Sequence, residues 1–247
     1  MNNFKLLDIG LCAAKSALKI IELEKNSSKK IDKNLSKDVK VFADIKSEKA
    51  IIEYLENATD FSILSEEFGF IKKSSDYLWI VDPIDGSVNF SRDIPFYSIS
   101  IGLWKKNNPV LGIIYDLNTN DIYKGIIGEG SWFNEIAINT SPLKKIKNAI
   151  ICTGFPVSYN FSDTEIMSFV NKIKDFKKVR LLGSASLSLA YLAKGSVDAY
   201  AEKNIKIWDV AAGIAIVIAA GGEVKFSNFD QDYKLSITAS CHKDLKY

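Results

Sequence analysis

A single histidine, His242, stands in 247 residues, and only three cysteines. His242 lies near the C-terminus and outside every motif, which argues against a Ser-His-Asp or Cys-His machine. Cys12, Cys152 and Cys241 are odd in number and far apart, with no CxxC or zinc spacing. They read as free thiols of a reducing compartment. Charge of one sign is also lacking. Lys and Arg total 32 against 30 Asp and Glu, a formal balance of +2, whereas a dedicated nucleic-acid binder carries a strong basic excess. Six of the 30 lysines sit in one short segment, residues 25–40. The longest apolar run, residues 210–220, is too short to span a bilayer and reads as a core helix. The first eight residues carry no basic stretch followed by an apolar one, so no signal peptide is expected. These absences together predict a cytoplasmic chain with no membrane and no specific nucleic-acid partner. No repeat of fixed period and no extended low-complexity tract is present.

What remains is an ordinary globular composition, 47% hydrophobic and 25% charged, enough for one large domain or two small ones. Apolar residues at three- and four-residue spacing predict helices over residues 4–24 and 43–56. Between them, residues 26–40 are polar and lack periodicity, which predicts an exposed, mobile loop. Residues 61–64 read as a short strand, followed by the acidic turn Ser65-Glu66-Glu67-Phe68-Gly69. From Tyr77 the period becomes two, and strands over 77–81, 97–103, 110–115 and 122–127 form an antiparallel meander. Beyond about residue 143 strands and helices alternate. Strands are expected over 149–153, 179–182 and 197–201, helices over 162–175, 184–194 and 209–220, and a final strand pair over 223–226 and 235–239. The change of pattern divides the chain into an α+β half, residues 1–142, and an α/β half, residues 143–247.

The most informative segment is Trp79-Ile80-Val81-Asp82-Pro83-Ile84-Asp85-Gly86-Ser87-Val88-Asn89-Phe90. Two carboxylates lie three residues apart in a stretch stiffened by proline and relaxed by glycine. Such a turn can aim Asp82, the Ile84 carbonyl and Asp85 at one point, the oxygen cluster that a hard divalent cation such as Mg²⁺ takes. An aspartate that merely caps the helix beginning near Gly86 accounts for one carboxylate but not for both. Gly86 and Ser87, opening that helix, offer free N–H groups and a positive dipole end to a phosphate. Gly183-Ser184-Ala185 opens another helix in the same way. Three further acidic sites look placed: Glu66 or Glu67, Asp44, and Asp209 in Trp208-Asp209-Val210-Ala211-Ala212-Gly213. Taken alone, Asp209 reads first as an N-cap of its apolar helix, and the metal reading gains when Asp82 and Asp85 are set beside it. With no motif histidine to act as base, a metal that acidifies water becomes the natural alternative.

The segment from Asp82 to Phe90 resembles the first signature of the inositol monophosphatase family, with Ser87 where threonine is more frequent. Trp208 to Gly213 resembles its second signature, and Ser65-Glu66-Glu67 sits where the family carries a glutamate ahead of the aspartate turn. The resemblance implies a layered αβαβα sandwich of the sugar-phosphatase type. It implies a homodimer and Mg²⁺-dependent, lithium-sensitive hydrolysis of a phosphate monoester. By matching position, Glu66, Asp82, the Ile84 carbonyl, Asp85 and Asp209 would bind the metals, and Asp44 a third, weaker one. Glu66 and Ser87 would orient and deprotonate the water, with Asp85 in the catalytic set. The Gly86 and Ser87 amides would hold phosphate. Gly183, Ser184, Ala185 and Glu202 would meet the substrate's hydroxyl-bearing part. A small polyol phosphate, inositol 1-phosphate first, is the expected substrate, with fructose 1,6-bisphosphate, a nucleotide 3′-phosphate or histidinol phosphate as alternatives. The lysines of residues 29–40 would serve a second phosphate or none. A binding or regulatory protein without turnover is the non-enzymatic alternative. Partner binding is another, since some bacterial relatives contact the transcription machinery. Ala43, preceding Asp44 where threonine is common, departs from the pattern.

Overall fold

The computed structural model describes residues 2–28, 36–155 and 161–245, with side chains described except over 24–42. Two helices, α1 (Asn3–Ser28) and α2 (Ser36–Ala58), lead into the strands β1 (Ser62–Ser65), β2 (Gly69–Ile71) and β3 (Tyr77–Asp85). A short helix, α3 (Ser87–Ser91), precedes β4 (Ser98–Lys105), β5 (Asn108–Asp116), β6 (Ile122–Ile126), β7 (Gly130–Phe133) and β8 (Ile136–Ala137). The rest alternates: β9 (Ile150–Thr153), α4 (Asp163–Ile173), β10 (Lys178–Arg180), α5 (Ala185–Ala193), β11 (Ala199–Lys206) and α6 (Ile207–Ala219). It closes with β12 (Glu223–Phe226) and β13 (Lys234–Ser240).

The strands form an eight-stranded sheet, β2-β1-β3-β4-β5-β6-β7-β8, and a five-stranded sheet, β10-β9-β11-β13-β12. Helices α1 and α2 cover one face of the first sheet, and α5 and α6 fill the space between the sheets. Helix α4 lies over the far face of the second sheet, where Phe169 and Ile173 share a hollow with Ile151, Ala201 and Thr238. The result is the layered αβαβα sandwich. Among the described residues, no helix is long and apolar enough to cross a membrane.

Because helices cover both faces of the first sheet, its alternation has no wet side. Trp79, Val81, Ile99, Ile101 and Ile113 pack toward α1 and α2, whereas Ile80, Trp104 and Ile114 pack with α5 and α6. Ser98, Ser100 and Gly102, the small alternates in β4, are buried against the inner helices. Gly102, Gly112 and Gly125 face one another across β4, β5 and β6. A Cβ on Gly112 would stand 2.1 Å from the Ala212 carbonyl oxygen, one on Gly102 3.0 Å from the Ala211 carbonyl carbon, and one on Gly125 2.8 Å from Ile216 Cα. This groove seats α6 directly on sheet backbone, and Trp104 Nε1 donates to the Ala211 carbonyl at 3.2 Å.

Three expectations change. The polar segment 26–40 is helical where it is described, since α1 runs to Ser28 and α2 starts at Ser36. Helix can continue there without an apolar stripe because α1 and α2 pack as a pair. The lysines of residues 29–35 lie outside the described residues, and no side chain of 24–42 is described. The Asp82–Asp85 segment is strand, not turn, because β3 continues through it. Three short strands, β2, β7 and β8, were not expected, since runs of two to four residues carry little periodicity.

Candidate metal and phosphate site

Residues three apart on a regular strand face opposite sides of a sheet. Here Asp82 pairs with Ser100 and Asp85 with Ser98, so three steps on β3 oppose two on β4. The extra residue is a β-bulge, and it turns both carboxylates the same way. Pro83 lies in the bulged stretch, where loss of an N–H costs little. The Ile84 N–H donates to Asp82 Oδ1 at 2.9 Å, which locks the first carboxylate to the bulge.

The third carboxylate comes from far along the chain. Asp209 is not an N-cap. That position belongs to Lys206, and Asp209 lies in the first turn of α6. Its carboxylate is thereby released toward β3, and Ser100 Oγ on β4 donates to the neighbouring Trp208 carbonyl at 3.2 Å. Oxygen atoms of Asp82, Asp85 and Asp209 all lie within 4.8 Å of one another. Asp82 and Asp85 are buried and Asp209 is half-buried.

Three such groups repel one another out of water. Burial, then Glu66, Asp85, Asp209 and Asp44, hold the Asp82 carboxyl well above the usual carboxylate range. Asp209 is held high by burial and by the charges of Asp85, Glu66 and Glu202. Burial raises Asp85 as well, against the opposing bonds from Ser184 and Ser186. An oxygen-only cluster whose carboxyls are held high by burial and by one another's charge fits a hard divalent cation, which would offset both.

Glu66 and Asp44 stand outside the tight trio but within its field. Ser65 pairs with Val81 across parallel strands, so Glu66 emerges beside Asp82. This choice between Glu66 and Glu67 follows from the register. Asp44 is buried on α2.

The donor side of the site joins Ser184, expected at the substrate, to Ser186 and Ser98, which the sequence reading passed over. Ser184 Oγ donates to Asp85 Oδ2 at 2.5 Å and the Ser186 N–H at 2.8 Å, and Ser186 Oγ bonds the same oxygen. Ser98 Oγ lies 2.6 Å from Ser186 Oγ, extending the hydroxyl chain into β4. The available signal was Ser184, Ser186 and Ser188, three hydroxyls every second residue in an otherwise apolar helix. Ser184 also N-caps α5 by accepting the Leu187 N–H at 3.3 Å.

Gly86 and Gly183 bring the two helix-opening loops together. Gly86 has φ +84°, and a Cβ there would meet the Phe96 carbonyl at 2.9 Å and the Gly183 carbonyl at 3.1 Å. Gly183 has φ +79° and lies against the Asn89 amide. Asn89 Nδ2 donates to the Phe96 and Leu182 carbonyls, both at 2.8 Å, tying α3 to the loop before α5. Helix α3 is only five residues long. It offers N–H donors at Gly86 and Ser87 but little macrodipole, which needs aligned peptides over several turns.

Glu202 lines the hollow beside α4 and lies within the field of Asp85 and Asp209. Tyr200 Oη donates to Glu202 Oε2 at 2.8 Å. Burial, opposed by that bond and assisted by Asp85, pushes the Glu202 carboxyl up to about 7. An acid raised above its unfolded value charges at a cost in the folded state. That cost grows from pH 4.5, the ordinary value, and is complete above 7. In metal-free protein, Glu202→Gln is therefore expected to match wild type in urea unfolding at pH 4.5. At pH 8 it should exceed wild type by up to about 3 kcal/mol. Equal stability at both pH values would refute the assignment.

The sequence pattern of the inositol monophosphatase family matches residues 3–235. The chain is 34% identical over 240 residues to a Nus factor SuhB of Pasteurella multocida, spanning 94% of this chain and 88% of that protein. It is 33% identical over 193 residues to an inositol-1-monophosphatase of Mesorhizobium japonicum, spanning 77% and 73%. The solved structure of the extragenic suppressor protein suhB from Bartonella henselae superposes with a TM-score of 0.84 at 29% identity, covering 98% of this chain and 95% of that one. Agreement over nearly the whole length, in sequence and in fold, means that the chain belongs to the inositol monophosphatase family and is a phosphomonoesterase.

Proposed function

We propose that the protein is a Mg²⁺-dependent phosphomonoesterase acting on a small polyol phosphate, inositol 1-phosphate first. The observation that carries this reading is the trio of Asp82, Asp85 and Asp209 with oxygens within 4.8 Å, set beside the Gly86 and Ser87 amides. Asp82, Asp85, Asp209, Glu66 and the Ile84 carbonyl would hold two ions, and Asp44 would help hold a third. Bound there, Mg²⁺ supplies the charge that acidifies water and offsets the charge building on phosphate and leaving alkoxide.

The chain's own groups then do the rest. Gly86 and Ser87 N–H groups seat the phosphate and fix its orientation for in-line attack. Glu66 takes the proton of the attacking water through the Ser87 hydroxyl. Ser184 and Ser186 oppose the burial that raises Asp85 and keep its carboxylate aimed by saturating its Oδ2. Gly183 and Ala185 line the side where the alcohol leaves, and Glu202 accepts hydrogen bonds from its hydroxyls. The relatives named inositol-1-monophosphatase favour a polyol over a nucleotide or histidinol.

The test is phosphate release from inositol 1-phosphate, fructose 1,6-bisphosphate, 3′-phosphoadenosine 5′-phosphate and histidinol phosphate. Each is run with and without Mg²⁺ and with added Li⁺. Release is expected only with Mg²⁺, fastest from inositol 1-phosphate, and inhibited by Li⁺. Faster release from another of the four moves the substrate to that class. No release from any of them overturns the reading in favour of a phosphate-ligand binding protein.

A further inference from the structure

Glu48 is a fully buried carboxylate that none of the roles above uses. It lies on α2, one turn after Asp44, so the two side chains share a helix face. That turn is braced by Ser47 Oγ, which donates to the Ala43 carbonyl at 2.6 Å and the Asp44 carbonyl at 3.0 Å. Both Glu48 oxygens accept the Glu67 N–H, at 3.0 and 3.1 Å, and Oε1 also accepts the Phe68 N–H at 2.9 Å.

Those two amides belong to the three-residue loop between β1 and β2, which closes at Ser65 and Gly69 with Gly69 at φ +70°. Glu66 is the first residue of the same loop. Its position beside Asp82 depends on where the loop leaves β1, because the parallel β1–β3 pairing ends at Ser65 and Val81. Glu67 and Phe68 are exposed and Glu66 is exposed, so packing from above does not hold the loop. The buried anchor beneath it is Glu48.

We propose that Glu48 is the positioning residue for Glu66: its carboxylate clamps the Glu67 and Phe68 amides and so holds the Glu66 carboxylate at the Asp82–Asp209 cluster. One turn of α2 thereby joins Asp44 and the Glu66 loop to a single rigid element. A charged clamp suits this task because a carboxylate takes several N–H donors at once and bonds them more strongly than a neutral acceptor. The role rests on the function proposed above.

The test compares wild type, E48Q and E48D in two measurements that need no turnover. Mn²⁺ binding is followed by electron paramagnetic resonance. Hydrogen exchange at the Glu67 and Phe68 amides is followed in metal-free protein. Loss of an outer partner of a ligand weakens metal affinity about 10- to 100-fold. E48Q is expected to bind Mn²⁺ about tenfold more weakly, with faster exchange at both amides. Its Mg²⁺ half-saturation for phosphate release should rise while the substrate KM stays near wild type. A folded E48Q protein with wild-type Mn²⁺ affinity overturns the positioning role alone. If E48Q does not fold, E48D decides in the same way, since it keeps the charge but draws it back by one methylene. A wild-type protein that binds no Mn²⁺ overturns the proposed function and the positioning role with it.

Discussion

Asp85→Asn is expected to lower Mg²⁺-dependent phosphate release by about 10³-fold or more while the protein stays folded. The size follows from what the residue would do. A cation at this site stabilises transition-state charge by several kcal/mol, and each 1.36 kcal/mol is a factor of ten in rate. Asparagine keeps one oxygen for Ser184 and for the Ser186 N–H, so the link between β3 and α5 survives. It removes a negative charge from a cluster in which burial and like charges already hold the Asp82 and Asp209 carboxyls well above the usual range. Metal-free Asp85→Asn should therefore melt no lower than wild type at pH 8. Steady-state phosphate release and thermal unfolding, measured on the same preparation, check both halves. Near-normal turnover would sink the assignment of Asp85 as a metal ligand.

Gly112→Ala is expected to be the most damaging single-methyl change in the fold. Its Cβ would stand 2.1 Å from the Ala212 carbonyl oxygen and 2.7 Å from the carbonyl carbon, both helix backbone. No side chain can rotate away, so α6 must lift from the sheet. Overpacking a core costs 1–3 kcal/mol and occasionally more. A backbone contact this close predicts about 3 kcal/mol or above, roughly 10 °C in Tm for a chain of this size. Activity should fall further than stability accounts for. Asp209 rides on the first turn of α6, and a shift there separates it from Asp82. Gly128 makes the control: a Cβ there meets nothing within 4 Å, and its φ of +89° admits asparagine with modest strain. Gly128→Asn should keep both the melting temperature and Mn²⁺ binding close to wild type. Equal melting temperatures for Gly112→Ala and wild type would contradict the close seating of α6.

The long elements were legible because their periodicity is strong. The α1 stripe of Leu7, Leu11, Ala14, Leu18 and Ile21 and the β4 alternation are each carried by five or more residues. Burial on both faces of the first sheet was not legible, since serine alternating with isoleucine is equally the pattern of a strand with one solvated face. Ser98 and Ser100 are instead the inner face, bonded to Ser186 and to the Trp208 carbonyl. Asp209 shows the same limit from the other side. An aspartate ahead of an apolar helix has the sequence mark of an N-cap, and only the position of the helix start within α6 removes that role.

The sequence by itself determined the chemistry of the site: which residues are carboxylates, where proline and glycine permit a break in strand geometry, and that no motif histidine is present to act as base. These are properties of residue types and their neighbours, so they survive without coordinates. The tertiary structure alone decided convergence. A one-residue bulge turned Asp82 and Asp85 to one side, a glycine groove brought Asp209 to them, and Glu48 reached across 19 positions to hold the loop that carries Glu66. Each depends on contacts between segments distant along the chain, and side-chain periodicity records only which face a residue takes on its own element.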